Sequence, residues 1–331
     1  MRSLSATLEA AQKATSGVPF IGVTVSDRSA GVTRLRWERL YTGAEADKYH
    51  AAAMPSDGSL LRVRTTGAGQ ALAYQRVTSP GPASSFGTWS NLDSAADAGV
   101  ALAASGANVI LAFVAPIGSS IRVRESSDYG ASFGAAQTVV GESAAIGWLA
   151  AARKSDGTVL LVYSVGGAVK TLKRSSGVWG SAATWPHSAS AINGLAVTHA
   201  GDYHVAIAGV TTSGAAKLWS ATFGDGFSQT IDTWSALLEL TSAESGSNVT
   251  FRAPSLTVLD THRLFFVETY AGSVAYSRPQ WTWFAPSHAF AANAWREPVP
   301  FDYEDTFGMA ITGDATYAWL STGNGVWRSP L

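Results

Sequence analysis

The stretch Leu149–Tyr163, LAAARKSDGTVLLVY, contains a small-residue apolar segment, a turn rich in Asp, Gly or Ser, and a bulkier apolar segment. Short apolar runs separated by a turn predict two buried strands. The pattern recurs five times, as HAAAMPSDGSLLRVR from His50, GVALAASGANVILAF from Gly99, GLAVTHAGDYHVAIA from Gly194, PSLTVLDTHRLFFVE from Pro254 and FGMAITGDATYAWLS from Phe307. Each copy then runs through a third strand into a Trp-bearing turn.

The spacing of the copies predicts the architecture. It is 49, 50, 45, 60 and 53 residues between the successive turn residues Ser56, Ser105, Ser155, Ala200, Asp260 and Gly313. A repeat near fifty residues is typical of a four-stranded propeller blade. The Ala-rich and Gly-rich first strands suit a crowded central channel, and the bulky second strands suit burial between blades. We therefore expect an all-β, six-bladed β-propeller of four-stranded blades.

The two ends of the chain together supply one more repeat. Eighteen residues follow Gly313 and 37 residues occupy positions 19–55. We expect these N- and C-terminal segments to share one blade, with Val32–Tyr41 (VTRLRWERLY) as its outer strand, which closes the ring and removes open sheet edges. Two alternatives are a seventh blade hidden in the long gap before Asp260 and a pair of β-sandwiches.

A short helix is expected before the propeller. The apolar residues of this segment recur at spacings of three and four, which is the helical pattern, at Leu4, Leu8, Ala11 and Ala14. We expect residues 1–18 to form a helical arm and residues 19–331 to form the propeller. The arm either packs on the propeller or, through residues 1–15, contacts another protein of a larger particle.

Composition excludes several classes of function. The net charge is −1 with scattered Lys and Arg, so nucleic acid is not an expected partner. With no cysteine there is no disulfide or thiolate nucleophile, and the six histidines lack metal-site spacing, so no metal or cofactor is expected. No segment has the apolar run of a signal peptide or a membrane span, so no membrane insertion is expected. We expect a virion or extracellular protein that lacks a signal peptide.

The segment Ser126–Phe133, SSDYGASF, matches S-x-D-x-G-x-x-[WF]. It resembles the Asp box of sialidases and other BNR-repeat propellers, which lies in the turn between the third and fourth strands of a blade. An Asp carboxylate can accept hydrogen bonds from nearby backbone N–H groups, and Gly allows an unusual backbone geometry. The resemblance implies a structural role for Ser126, Asp128, Gly130 and Phe133.

The segment Phe251–Glu268, FRAPSLTVLDTHRLFFVE, resembles the sialidase [FY]-R-I-P segment, with Ala253 in place of Ile. The resemblance implies that Arg252 binds a carboxylate through its planar donor fork. Sialidases use three such arginines, a Tyr nucleophile paired with Glu, and an Asp acid/base. The equivalent positions in the other repeats hold no second arginine: they are Lys48, Asp97, Gly147, Ile192 and Asp305. We therefore assign no catalytic residue, and a sialidase-like glycoside hydrolase with a rearranged site remains the alternative.

The entrances to the first strands carry aromatic and hydrogen-bonding groups that suit sugar recognition. These candidate ligand-binding residues are Arg252, Asp97, Asp305, Lys48, Tyr49, His50, Trp148, Asn193 and Tyr303. We expect a non-catalytic glycan-recognition or structural module that binds a glycan or cell-surface polysaccharide. The leading arm and the lack of a signal peptide resemble features of phage tail or particle-associated proteins. The alternative is that Tyr49 and Trp148 only plug the channel.

Overall fold

The computed structural model describes residues 38–42, 47–66, 71–82, 84, 86–96, 98–185, 189–213, 216–224, 249–259, 262–271, 277–284, 310–322 and 325–330. Every helix or strand within these ranges is a β-strand. A membrane-crossing helix was sought in the same ranges and none was found. The predicted helical arm, residues 1–18, lies outside the described residues, as does the start of the predicted outer strand.

The described strands form six antiparallel sheets. Sheet 1 contains β2 (Asp47–Ala53), β3 (Leu60–Thr66), β4 (Ala71–Val77) and β5 (Ser90–Ser94). Sheet 2 contains β6 (Val100–Ser105), β7 (Asn108–Val114), β8 (Ser120–Ser126) and β9 (Gln137–Gly141). Sheet 3 contains β10 (Ile146–Arg153), β11 (Val159–Val165), β12 (Ala168–Ser175), β13 (Val178–Trp179) and β14 (Ala183–Trp185).

The second half of the chain supplies the other three sheets. Sheet 4 contains β15 (Ala189–Ala200), β16 (Asp202–Thr211) and β17 (Ala216–Phe223). Sheet 5 contains β18 (Val249–Leu259), β19 (His262–Ala271) and β20 (Ser277–Phe284). Sheet 6 contains β21 (Ala310–Gly313), β22 (Tyr317–Thr322), β23 (Gly325–Pro330) and the N-terminal strand β1 (Glu38–Thr42), which pairs with β23.

The innermost strands of the six sheets pack beside one another. These strands, called the first strands below, are β2, β6, β10, β15, β18 and β21. Strand β2 contacts β6 and β21, and the contacts continue from β6 to β10, β15, β18 and back to β21. The approach is closest at Gly99, whose N–H donates to the Gly147 carbonyl at 2.7 Å. A Cβ at Gly99 would lie only 2.4 Å from the backbone nitrogen of Leu149. The absence of a side chain at Gly99 is therefore a steric requirement.

The second strands of sheets 2 and 3, β7 and β11, are buried on both faces. In β11, Leu161 packs into the apolar cluster shared with sheet 2, whereas Leu160 and Val162 pack into the cluster shared with sheet 4. Because successive side chains of a strand point to opposite faces, a strand between two such clusters must be apolar throughout. This explains the continuous apolar run VLLVY of β11. In β7, likewise, Ile110 packs into the cluster shared with sheet 3 and Leu111 into the cluster shared with sheet 1.

The turn at residues 126–133 connects β8 to β9, the third and fourth strands of sheet 2. The Asp128 carboxylate accepts hydrogen bonds from the Ser126 hydroxyl (2.6 Å), the Ser132 hydroxyl (2.6 Å) and the Ser132 N–H (3.0 Å). The Gly130 N–H donates to the Ser126 hydroxyl at 2.9 Å. These bonds to Ser126 and Ser132 hold the pKa of Asp128 well below its usual range. The turn is thus organised around a charged carboxylate.

This turn also joins sheet 2 to sheet 1. The Tyr74 hydroxyl donates to the Gly130 carbonyl, and the Tyr74 ring meets the Phe133 ring edge-on at 5.1 Å. Gly130 has a φ of +74°, and a Cβ there would lie 2.7 Å from a Leu61 methyl carbon. Arg76 adds a bond from Nε to the Tyr129 carbonyl at 3.1 Å. The segment therefore links neighbouring sheets.

We predict that Asp128→Asn lowers the melting temperature at pH 7, because the amide cannot accept all three hydrogen bonds. A carboxyl whose pKa is lowered by folding stabilises the fold above its unfolded pKa of about 3.9, and this stabilisation is lost as the pH falls further. The difference in melting temperature between wild type and variant should therefore shrink below about pH 4. Asp202→Asn, at the exposed β15–β16 turn, is the control. A pH-independent difference would contradict the prediction.

We predict that Gly99→Ala lowers the free energy of unfolding by about 1–3 kcal/mol, the usual range for overpacking, because the new methyl group would collide with the Trp148–Leu149 backbone. Gly141→Ala is the matched control, since a Cβ at Gly141 meets nothing within 4 Å. The measurement is equilibrium urea denaturation of both variants. Equal denaturation midpoints for the two would show that the contact at Gly99 does not constrain the fold.

Candidate functional site

A channel runs between the six first strands and is lined by residues from all of them. Its wall is made mainly of Ala, Gly, Val, Leu and Ile. The cavity volume is about 100 Å³, which is below the roughly 300 Å³ at which ligand pockets usually begin. The interior of the channel therefore has room for a few water molecules.

The end of the channel at which the first strands begin is called the mouth. The bond from Gly99 to Gly147 links sheets 2 and 3 where β6 and β10 begin. At the other end, just after β2 and β6, the Ser56 N–H donates to the Gly106 carbonyl at 3.1 Å. The Tyr129 N–H bonds the Ala107 carbonyl at 2.9 Å at that same far end. The mouth and the turn at residues 126–133 are thus at opposite ends of the sheets.

Two predicted site residues meet at the mouth. Tyr49 of β2 and Trp148 of β10 both line the channel, and their rings are in edge-to-face contact at 5.1 Å. They come from sheets 1 and 3, so they meet across the start of β6, where Gly99 has no side chain. Both are partly exposed. An aromatic pair of this kind offers a ring face and a hydroxyl to a ligand.

Irregular pairing recurs at this end of the sheets. The register of the first strand with its partner shifts between Asp47 and Tyr49 in β2 and between Ile146 and Leu149 in β10. It shifts twice in β15, around Ser190 and Asn193, and once in β18, between Arg252 and Ser255. β-Bulges redirect side chains and are common beside functional sites. Lys48, Trp148 and Asn193 stand at these bulges, a signal that the sequence does not reveal.

The bulge at Trp148 has a side-chain partner. The Trp148 N–H donates to the Ser164 hydroxyl at 2.9 Å, in place of a ladder carbonyl. The extra residue in β10 is thus accommodated by a hydroxyl of the neighbouring strand β11. This bond holds the backbone of Trp148 at the mouth.

His50 has a different position from its neighbour Tyr49. It borders the channel, but its imidazole is buried, and Nε2 lies 2.8 Å from the Ser321 hydroxyl of sheet 6. The same hydroxyl accepts a 2.8 Å bond from Nε of Arg62, which is 0% exposed. Burial, followed by the charges of Arg62 and Arg64, lowers the pKa of His50 well below its ordinary value. His50 therefore links sheet 1 to sheet 6 as a neutral imidazole.

The Arg62 guanidinium is held by further contacts. Nη1 donates to the side-chain amide oxygen of Gln75 at 2.6 Å. The Trp89 ring lies 4.8 Å and the Tyr41 ring 5.3 Å from the guanidinium carbon. Aromatic faces attract a cation, most strongly where water is excluded. The interface between sheets 1 and 6 thus contains a buried cation that bonds Ser321 and Gln75 and lies against two aromatic rings.

The remaining predicted site residues are described only in part or not at all. Asn193 is half-buried at the second bulge of β15. The backbone register places Arg252 opposite Glu268, while the side chains of Lys48 and Arg252 lie outside the described atoms. Asp97, Tyr303 and Asp305 are outside the described residues.

A tyrosine–glutamate pair that the sequence did not suggest lies between sheets 2 and 3. Glu142 accepts hydrogen bonds from the Tyr163 hydroxyl and from Lys170 Nζ, both at 2.7 Å. Burial and the bond to Glu142 raise the pKa of Tyr163 far above its ordinary value. The bond between Tyr163 and Glu142 thus joins sheets 2 and 3.

Metal-binding geometry was also sought. Among the residues that the structure describes, no group of three or more His, Asp or Glu side chains could hold a metal ion.

No family model matches the sequence, and no curated protein matches it. Solved structures do match. The Hadza microbial sialidase Hz136 is 10% identical with a TM-score of 0.55, over 86% of this chain and 66% of the sialidase, so the chain spans just under two thirds of that protein. The Penicillium chrysogenum α-L-arabinanase complexed with arabinobiose is 13% identical with a TM-score of 0.59, over 88% and 96% of the two chains.

The Aleuria aurantia lectin, described as a six-bladed β-propeller that recognises fucose, is 11% identical with a TM-score of 0.52, over 88% of this chain and 93% of the lectin. Identities this low establish the fold alone. The chain therefore has a sialidase-like β-propeller fold, and its structural neighbours include both glycoside hydrolases and glycan-binding lectins.

We predict that the His50 contact makes stability depend on pH in the weakly acidic range. The unfolded chain takes up a proton at His50 near pH 6.5, whereas the folded imidazole, facing Arg62 and Arg64, resists protonation. The free energy of unfolding should thus fall as the pH drops below about 6.5, by up to about 1.4 kcal/mol per pH unit from this group. Urea denaturation from pH 8 to 5 should give a flatter profile for His50→Gln. Identical slopes for the two proteins would refute the prediction.

Proposed function

We propose that this protein is a six-bladed, closed β-propeller that recognises a glycan at the channel mouth without cleaving it. Six sheets, the successive contacts of their first strands and the pairing of β1 with β23 support the closed ring. The likeness to a lectin described as six-bladed also supports it.

The observation on which glycan recognition rests is the pair of Tyr49 and Trp148 at the mouth. Ligand sites combine apolar and aromatic surface with a few polar groups. A sugar has the same two-sided character, with C–H faces that pack on aromatic rings and hydroxyls that form hydrogen bonds. The bulges at Lys48 and Asn193 bring further polar residue types to the same end of the sheets.

Two observations favour binding over hydrolysis. The described residues that line the channel include no Asp or Glu, whereas glycoside hydrolysis ordinarily uses two carboxyl groups. In the tyrosine–glutamate pair that joins sheets 2 and 3, the Tyr163 side chain is buried, and its raised pKa opposes formation of a phenolate nucleophile. The acidic candidates Asp97 and Asp305 lie outside the described residues and are included in the proposal as ligand-binding groups, together with Arg252 and Tyr303.

Other parts of the proposal rest on the sequence alone. Residues 1–18 form a helical arm and residues 19–331 form the propeller. Residues 1–15 contact another protein of a phage tail or a similar particle.

The first test is a glycan array followed by titration calorimetry of the hits. We expect Trp148→Ala and Tyr49→Ala each to weaken binding about tenfold or more, which corresponds to about 1.4 kcal/mol. Tyr129→Asn is the control, because Tyr129 is exposed at the opposite end and its φ of +59° suits Asn. An array without hits, or binding that both mouth variants leave unchanged, would overturn glycan recognition at this site.

Catalysis is tested on the same proteins with a panel of fluorogenic glycosides that includes a sialoside. The binding proposal expects no turnover by the wild-type protein. Turnover that Arg252→Ala abolishes would overturn it in favour of a sialidase-like glycoside hydrolase.

A further inference from the structure

We propose that the glycan site extends from the mouth into a groove between sheets 3 and 4, so that the ligand is an oligosaccharide with at least one uncharged sugar unit in the groove. This inference rests on the proposed function and adds to it the size and chemical class of the ligand.

The groove lies at the same end of the sheets as the mouth. It is formed by the start of β10, the start of β15 and the β11–β12 turn. Its cavity volume is about 340 Å³, against about 100 Å³ for the channel. Of the two spaces, only the groove falls in the usual range of ligand pockets, roughly 300–1,000 Å³.

Trp148 is the residue that the two spaces share. It lines the channel together with Tyr49, and it lines the groove together with Gly147 and Ile192. A ligand in contact with Tyr49 and Trp148 therefore has the groove as its continuation on the far side of the indole. The bulges of β10 and β15 flank the groove on its two sides, so the irregular pairing serves both spaces.

Glycines keep the groove open. The β11–β12 turn consists of Gly166 and Gly167, with φ values of +54° and +89°, a backbone conformation that residues with a side chain rarely adopt. A Cβ at Gly147 would lie 3.2 Å from the Ser164 hydroxyl and would narrow the groove floor. The empty space therefore follows from three glycines at the positions where side chains would fill it.

The described residues of the groove wall are uncharged, and two of them carry hydroxyls. They are all Ala, Gly, Ser, Trp or Ile. The Ser164 hydroxyl accepts the bond from the Trp148 N–H, so its proton remains to be donated. The Ser190 hydroxyl is directed to the carbonyls of Val210 and Thr211, at 2.9 and 2.8 Å, and keeps lone pairs that accept hydrogen bonds. One donor and one acceptor beside an indole match the hydroxyls of a neutral sugar, whereas the described residues of the groove offer no cation to an acidic sugar.

The test compares chain lengths. Neutral mono-, di- and tetrasaccharides of arabinose, galactose, glucose and mannose, and sialyllactose as an acidic probe, are titrated by calorimetry into the full-length wild-type protein and two variants. Ala145→Trp places a large side chain at the groove from an exposed position that does not line the channel. Ala144→Trp, at the exposed neighbouring residue, is the matched control, because Ala144 lines neither space.

For one of the neutral series we expect the wild-type protein to bind the tetrasaccharide at least tenfold more tightly than the monosaccharide. Ala145→Trp should remove this gain and leave monosaccharide affinity unchanged, while Ala144→Trp should keep the gain. Trp148-dependent binding with no gain from chain length, a gain that Ala145→Trp leaves intact, or binding of sialyllactose alone would overturn the groove proposal and leave glycan recognition standing. Absence of binding to every probe would overturn both.

Discussion

The close approach of the first strands around the channel is the constraint on which the rest of the structure depends. Where Gly99 meets the backbone of Trp148 and Leu149, no Cβ fits, and alanine is the commonest residue of the channel wall. Small residues bury little apolar surface. The apolar stabilisation must then come from farther out, and Leu160, Leu161 and Val162 of β11 supply it on both faces, with about 1.5–3 kcal/mol per fully buried large side chain.

The apolar clusters account for most contacts between sheets, but the junction of sheets 1 and 6 adds a buried polar group. A fully buried guanidinium is costly unless its donors are satisfied. Arg62 donates to Ser321 and Gln75 and lies against Tyr41 and Trp89. Because these bonds are directional, they specify how the sheet that contains β1 and β23 sits against sheet 1. Apolar contacts alone would tolerate a range of arrangements there.

The repeat in the sequence predicted the strands well because each copy contains its own apolar segments and its own polar turn. Leu149–Tyr163 is found as β10 and β11 with the turn where the polar residues lie. The meeting of Tyr49 and Trp148 was also foreseeable, since residues at equal places in two repeats reach the same end of the sheets. The bond between Arg62 and Ser321 was not, because it spans 259 residues. The bulges were not predictable either, because they depend on the register with a partner strand. The burial of His50 beside partly exposed Tyr49 was not predictable because it depends on contact with sheet 6.

Both ends of the sheets carry bonds between neighbouring sheets, but the two ends differ in the regularity of their strand pairing. At one end the turn at residues 126–133 contacts sheet 1 through Tyr74 and Arg76, and Glu125 binds Arg174 of sheet 3 at 2.6 Å. At the mouth, β2, β10, β15 and β18 depart from regular pairing. A sheet can tolerate such departures at one end when its other end and its apolar faces fix its position. The bulge in β10 lies where the Trp148 indole borders both the channel and the groove, which is the position that the proposed site for a ligand longer than one sugar uses.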